Sequence, residues 1–118
     1  MSINKSIEDA QEAKNYFNYY IKDLGKIFNK VIGQIERKEY VDIPTRELIF
    51  EEIDVLYAQA IKAMFAGDAD LVRKMSKKLQ TAINSLAYFG AFENNDFLLQ
   101  TAMRLNILKE YLENHNMR

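Results

Sequence analysis

A seven-residue apolar repeat runs through the first 35 residues and limits what the chain can fold into. Apolar side chains recur in alternating steps of four and three residues, with one interruption at Lys14: Ile3, Ile7, Ala10, Phe17, Ile21, Leu24, Phe28, Val31 and Ile35. This spacing places all of them on one side of a helix. It therefore predicts one unusually long helix, over about residues 6–38, with a continuous apolar seam.

Three shorter apolar patterns follow and predict helices over about residues 44–65, 69–89 and 95–114. The expected ends carry residues that suit helix caps: Asp42 before Ile43-Pro44, Gly67 with Asp68, and Asn94 or Asn95. Short connections make neighbouring helices antiparallel.

The composition supports an entirely helical chain. It has four glycines and one proline in 118 residues, too few for the turns that a sheet would need. A chain of this length forms one domain. The sequence thus predicts an all-α, four-helix up-and-down antiparallel bundle with a long N-terminal helix, as a single domain over residues 1–118.

The first predicted helix is longer than its neighbours. If the chain folds back at residues 40–44, Asn15 lies level with the turn at Gly67, and the residues before it extend about 20 Å beyond the bundle. Ile3, Ile7 and Ala10 would then face water, which a stable monomer avoids. We therefore expect self-association, as a homodimer through the first helix, or the docking of a protein partner there. Fraying of the first turns is the alternative.

Two further features of the chain suggest contacts. Lys14 is expected near Asp68 or Asp70 at the rim of the bundle, which would explain the interruption of the seam. Tyr16 and Tyr19 point away from the seam because successive helical residues turn by about 100°. They are either a contact patch for a partner or are flanked by the chain's own bundle.

Charge is unevenly distributed along the second and third predicted helices. Acidic residues crowd the start of the second helix, and basic residues gather around the turn to the third: Lys62, Arg73, Lys74, Lys77 and Lys78. The basic end could meet an acidic partner or phosphate groups, although an ordinary solvated face is the favoured interpretation.

Several function classes are disfavoured. A net charge of −1 gives no general reason to bind nucleic acid. The chain has no cysteine, no signal-peptide pattern and no apolar run long enough for membrane insertion, so we expect a cytoplasmic protein. His115, the single histidine, has no metal-site or catalytic spacing around it, so neither an enzyme nor a cofactor is expected.

Four segments follow one another in a notable order: residues 20–23, an Ile-Pro connection, a stretch over residues 60–74 with a short acidic turn, and residues 107–110. In these segments and in the order of its elements, the chain resembles the PhoU family of phosphate-signalling helical bundles. The resemblance implies a cytoplasmic regulator of phosphate uptake that acts through protein contacts, with a possible surface metal at Asp23 and Glu110. Tyr20 and Ile107 depart from the family pattern, because a basic residue is expected at each place.

A second hypothesis comes from another class of protein. A helical export or assembly chaperone, like the flagellin chaperone FliS, holds an amphipathic helix of its partner against an apolar groove or seam. The exposed seam and the tyrosine cluster favour this interpretation, which involves no catalysis.

Overall fold

A computed structural model of the chain describes the backbone from Ile3 to Asn116 and the side chains of residues 5–114. The side chains of Ile3 and His115 lie outside the described residues. The described backbone forms four helices: α1 (Ile3–Glu36), α2 (Ile43–Phe65), α3 (Ala69–Phe92) and α4 (Asp96–Asn116). The predicted all-α, four-helix up-and-down bundle is therefore confirmed.

The predicted caps begin the last three helices. The backbone N–H groups of Thr45, Leu71 and Leu98 donate to the side-chain oxygens of the residues three positions before them, at 2.9, 3.0 and 3.0 Å. Those acceptors are Asp42, Asp68 and Asn95. Gly67 takes the left-handed conformation predicted for the α2–α3 turn, with φ of 75°.

The bundle consists of two hairpins. α1 packs along α2 and α3 packs along α4, while α1–α3 and α2–α4 approach each other less extensively. In the described part of the chain, no Cα of α1 lies within 8 Å of a Cα of α4. All four helices share one apolar core, with fully buried members from each: Phe17, Leu56, Leu79 and Leu105.

The register of the first hairpin differs from the prediction. α1 ends at Glu36, and the chain turns at once through Lys38, which has φ of 62°, while the N–H of Glu39 donates to the carbonyl of Gln34 at 2.8 Å. Because this turn precedes the predicted one, Ile7 rather than Asn15 lies near the level of the α2–α3 turn. The predicted 20 Å extension was therefore wrong: about one helical turn projects.

The third helix is also longer than predicted, because Gly90 continues it instead of ending it. A Cβ atom built on Gly90 would lie 2.9 Å from Cγ of Leu99 and 3.2 Å from Cβ of Leu98. Glycine thus allows α3 and α4 to approach closely at this end. The chain reverses direction at Asn94 instead, which adopts a left-handed conformation with φ of 51°.

Candidate functional site

An apolar groove opens along the side of the bundle where α1 and α3 meet. It has a volume of about 560 Å³. Its floor comprises apolar and small side chains from both helices: Ile21, Leu24, Gly25, Phe28 and Ile32 of α1, and Thr81, Ala82, Ser85, Leu86 and Phe89 of α3. We call this cavity the α1–α3 groove. Small residues on α3 and a glycine on α1 leave space that larger side chains would fill.

The opposite side of the bundle, between α2 and α4, is closed by large side chains. The ring of Phe50 lies 5.7 Å from that of Phe97 in an edge-to-face arrangement, and the guanidinium of Arg104 lies 4.3 Å from the centre of the Phe50 ring. The hydroxyl of Tyr57 donates to the carbonyl of Arg104 at 3.0 Å. Aromatic and cation–π contacts of this kind stabilise a closed interface. Large side chains therefore contact each other across the α2–α4 side, whereas small side chains leave space on the α1–α3 side.

Two smaller cavities lie on the same side of the bundle, toward the α2–α3 turn. One, of about 250 Å³, shares Lys78 with the α1–α3 groove and extends along Asn18 and Leu71. The other, of about 220 Å³, reaches Ile7 and Asp68. Lys14 lines this last cavity together with Asp68 and Asp70, as predicted, but forms no ion pair with either in the described part of the chain.

Lysine side chains border these three cavities on both helices. Lys14, Lys22 and Lys26 stand on α1, and Lys74, Lys77 and Lys78 on α3. Lys74 pairs with Asp70 at 3.1 Å. Among the described residues, the other five make no ion pair, although Lys78 donates to the side chain of Asn18. Uncompensated positive charge therefore flanks an apolar floor.

The side chains predicted to make contacts differ in exposure. Ile7 is 62% exposed, and Tyr16 and Tyr19 are exposed as well. Ala10 is 9% exposed and belongs to the core, so the prediction that it faces water was wrong. The earlier turn at Lys38 shifts α2 toward the start of α1, and this shift covers Ala10. Ile3 lies outside the described side chains.

Tyr16 and Tyr19 lie on the edge of α1 that adjoins α2. Glu12, one turn before Tyr16 on the same edge, pairs with Lys62 of α2 at 2.9 Å. The groove borders the other edge of α1, roughly opposite at about 100° per residue. The two tyrosines are therefore separate from the groove.

The predicted metal ligands do not come together. Glu110 lies on α4, which has no close backbone approach to α1, and it accepts a hydrogen bond from Asn106 at 3.2 Å. Asp23 instead faces Glu52 of α2. Within the described residues, no group of three or more potential ligands could hold a metal ion. Asp23 and Glu110 therefore do not share one site, because α1 and α4 do not approach each other in the described part of the chain.

The Asp23–Glu52 pair is an unusual feature of the α1–α2 interface. Glu52 is 5% exposed, and its Oε1 atom has no hydrogen-bond partner. Burial raises the pKa of the Glu52 carboxyl to about 7, and the hydrogen bond and negative charge of Asp23 act in the same direction. Two carboxyls supply too few oxygen ligands for a divalent cation.

The outer face of α4 carries an apolar stripe that was not predicted from the sequence. Four large side chains recur at four-residue steps and are exposed: Leu99, Met103, Ile107 and Tyr111. Their spacing was visible in the sequence, but α4 also carries a complete core face, and the second pattern was hidden by the first.

No helix in the described part of the chain is long and apolar enough to cross a membrane. Comparison with protein-family models, curated proteins and solved structures finds no significant match to this chain.

Proposed function

We propose that this chain is a non-enzymatic, cytoplasmic protein-interaction module that binds an amphipathic helix of a partner in the α1–α3 groove. The groove itself is the observation that carries the proposal. The groove lies between α1 and α3, with apolar residues along its base and polar residues along both edges. Helix-in-groove recognition requires this form. Ile21 and Phe89 of its lining are half-buried and reach its surface, whereas Leu24, Phe28 and Leu86 are buried members of the core.

Between the two families considered, the geometry favours a helix-holding chaperone or assembly adaptor. A PhoU-like regulator of phosphate uptake would also act by protein contacts, so the groove is compatible with both. The feature specific to the PhoU-like hypothesis was the surface metal, and its two proposed ligands stand on helices that do not meet.

Peptide binding tests this proposal. We would titrate the chain with 18-residue helical peptides that carry one leucine face, and with scrambled peptides of the same composition, and measure affinity by calorimetry. Three versions of each, with glutamate, glutamine or lysine flanking the leucines, separate shape from charge. We expect at least one amphipathic peptide to bind more than tenfold more tightly than its scrambled counterpart.

Two neighbouring variants locate the binding. Ser85→Trp fills the groove and should reduce the affinity by at least tenfold. Asn84→Trp adds the same ring one position along, at an exposed residue that does not line the groove, and should leave binding unchanged. Equal affinity for the amphipathic and the scrambled peptides would contradict the proposal. An affinity that Ser85→Trp leaves unchanged would contradict it as well.

Self-association is a second candidate, favoured by the exposed stripe on α4. That stripe presents more apolar side chains than the remaining contact candidates on α1, which are Ile7, Tyr16 and Tyr19. A dimer through α4 or α1 would leave the groove accessible, so the two activities are compatible.

A further inference from the structure

The charges around the groove identify the chemistry of its occupant. We propose that the α1–α3 groove selects an acidic amphipathic helix, one whose apolar face is flanked on both sides by aspartate or glutamate. This inference rests on the proposed function, since it names the class of partner for the same groove.

Positive charge stands on both rims. Lys22 and Lys26 are one helical turn apart on α1, and Lys74 and Lys78 are one turn apart on α3. A helix that lies between the rims presents one flank to each row. Carboxylates on both flanks would therefore meet lysines, whereas lysines or arginines there would meet like charge.

Among the described residues, only Lys74 of these two rows pairs with a carboxylate. Asp68 and Asp70 both lie at the end near the α2–α3 turn. Asp68 accepts the N–H of Leu71 as the cap of α3, and Asp70 pairs with Arg73 and Lys74. The α1–α3 groove itself, from Ile21 to Phe89, has no carboxylate among its described lining residues.

Two of the cavities follow one another along α1, from Lys14 to Asn18 and from Ile21 to Ile32, and together set the length of the occupant. From Lys14 to Ile32, α1 advances by about 27 Å at 1.5 Å per residue. A partner helix of about 18 residues, or five turns, would span this distance. Such a helix has room for two rows of carboxylates at spacings of four residues.

The three flanking versions of the peptide test this inference. At low salt we expect the glutamate version to bind about tenfold more tightly than the glutamine version and the lysine version to bind most weakly. Raising the NaCl concentration from 50 to 500 mM should reduce the difference, because screening shortens the range of the interaction.

A charge reversal on one rim assigns the preference to the groove. Lys22→Glu should weaken binding of the glutamate version by about fivefold and strengthen that of the lysine version. Lys38→Glu, which makes the same charge change in the α1–α2 connection, should alter neither.

The outcomes separate the two proposals. If the glutamine and lysine versions bind as tightly as the glutamate version, and Ser85→Trp still abolishes binding, helix docking stands and the acidic occupant is overturned. If Lys22→Glu leaves the preference for the glutamate version unchanged, the proposal of an acidic occupant is overturned as well. If Ser85→Trp converts a dimer of the chain to monomer in light scattering, the occupant is a second copy. Failure of every amphipathic peptide instead removes the proposed function itself.

Discussion

At the scale of single residues, the carboxyl of Glu52 links stability to pH. Its pKa is about 7 in the folded chain, where it is buried beside Asp23, and near its ordinary value of 4.5 when unfolded. The folded state therefore holds the proton more tightly. This contribution to stability is fully present below pH 4.5 and is lost as the pH rises through about 7.

Replacement of this carboxyl should remove that dependence. Between pH 4.5 and 8, we expect the wild-type chain to lose up to about 3 kcal/mol of unfolding free energy from this group. Glu52→Gln keeps the shape without the charge, so its stability should stay level over this range and exceed that of the wild type at pH 8. Urea unfolding followed by circular dichroism measures both.

Glu51→Gln is the matched control, because Glu51 is exposed on the same helix. It should reproduce the wild-type pH profile. A Glu52→Gln profile that also follows the wild type would show that the carboxyl is not responsible.

Two glycines within helices should respond oppositely to alanine. A Cβ on Gly25 meets nothing within 4 Å, so Gly25→Ala should stabilise the chain by about 0.5–1 kcal/mol through helix propensity. At Gly90 the new Cβ atom would lie too close to Leu98 and Leu99. Gly90→Ala should therefore destabilise the chain, despite the higher helix propensity of alanine. Urea midpoints compare the two, and equal stabilisation would mean that α3 and α4 are not held this close.

At the scale of elements, the start of α1 divides into a projecting turn and a packed segment. Removal of residues 1–6 should change the unfolding free energy by less than about 1 kcal/mol, since the core begins later. Removal of residues 1–13 also deletes Ala10, Ala13 and the Glu12–Lys62 pair, and should cost about 2 kcal/mol or more. Equal stability of the two truncated chains in urea would place the core boundary after Ala13.

Helix ends could be predicted from sequence where a side chain supplies the cap. Asp42, Asp68 and Asn95 accept backbone N–H groups as their residue types suggest. The turn after α1 could not, because Lys38 adopts a left-handed conformation that lysine does not signal. That one misplaced turn produced the wrong position for Ala10.

The groove was not predictable from the apolar pattern. Ile21 and Phe28 mark the inner side of α1 in the seam, but periodicity does not specify how closely α3 approaches it. Lys74, Lys77 and Lys78 were recognised as a basic cluster and assigned to a solvated face. Their position beside the apolar residues of the groove depends on how α1 packs against α3, which the sequence pattern does not specify.

At the scale of the whole molecule, the exposed apolar surfaces predict where copies of the chain would meet. The α4 stripe carries Met103 and Ile107 at its centre, both exposed, whereas Ile7 is the exposed aliphatic side chain among the described residues of the α1 seam. Burial of large apolar side chains is the main source of association energy. We therefore expect any dimer of this chain to depend on α4 more than on α1.

Light scattering of three chains distinguishes these surfaces. If the wild-type chain is a dimer, Met103→Glu with Ile107→Glu should yield a folded monomer, because each new charge would be buried against the partner copy without a counter-charge. Ile7→Asp should leave the dimer intact and serves as the comparison on α1. The reverse pattern would assign the interface to the first helix. A monomeric wild-type chain would show instead that neither surface self-associates. The Ser85→Trp binding experiment would then report on a monomer.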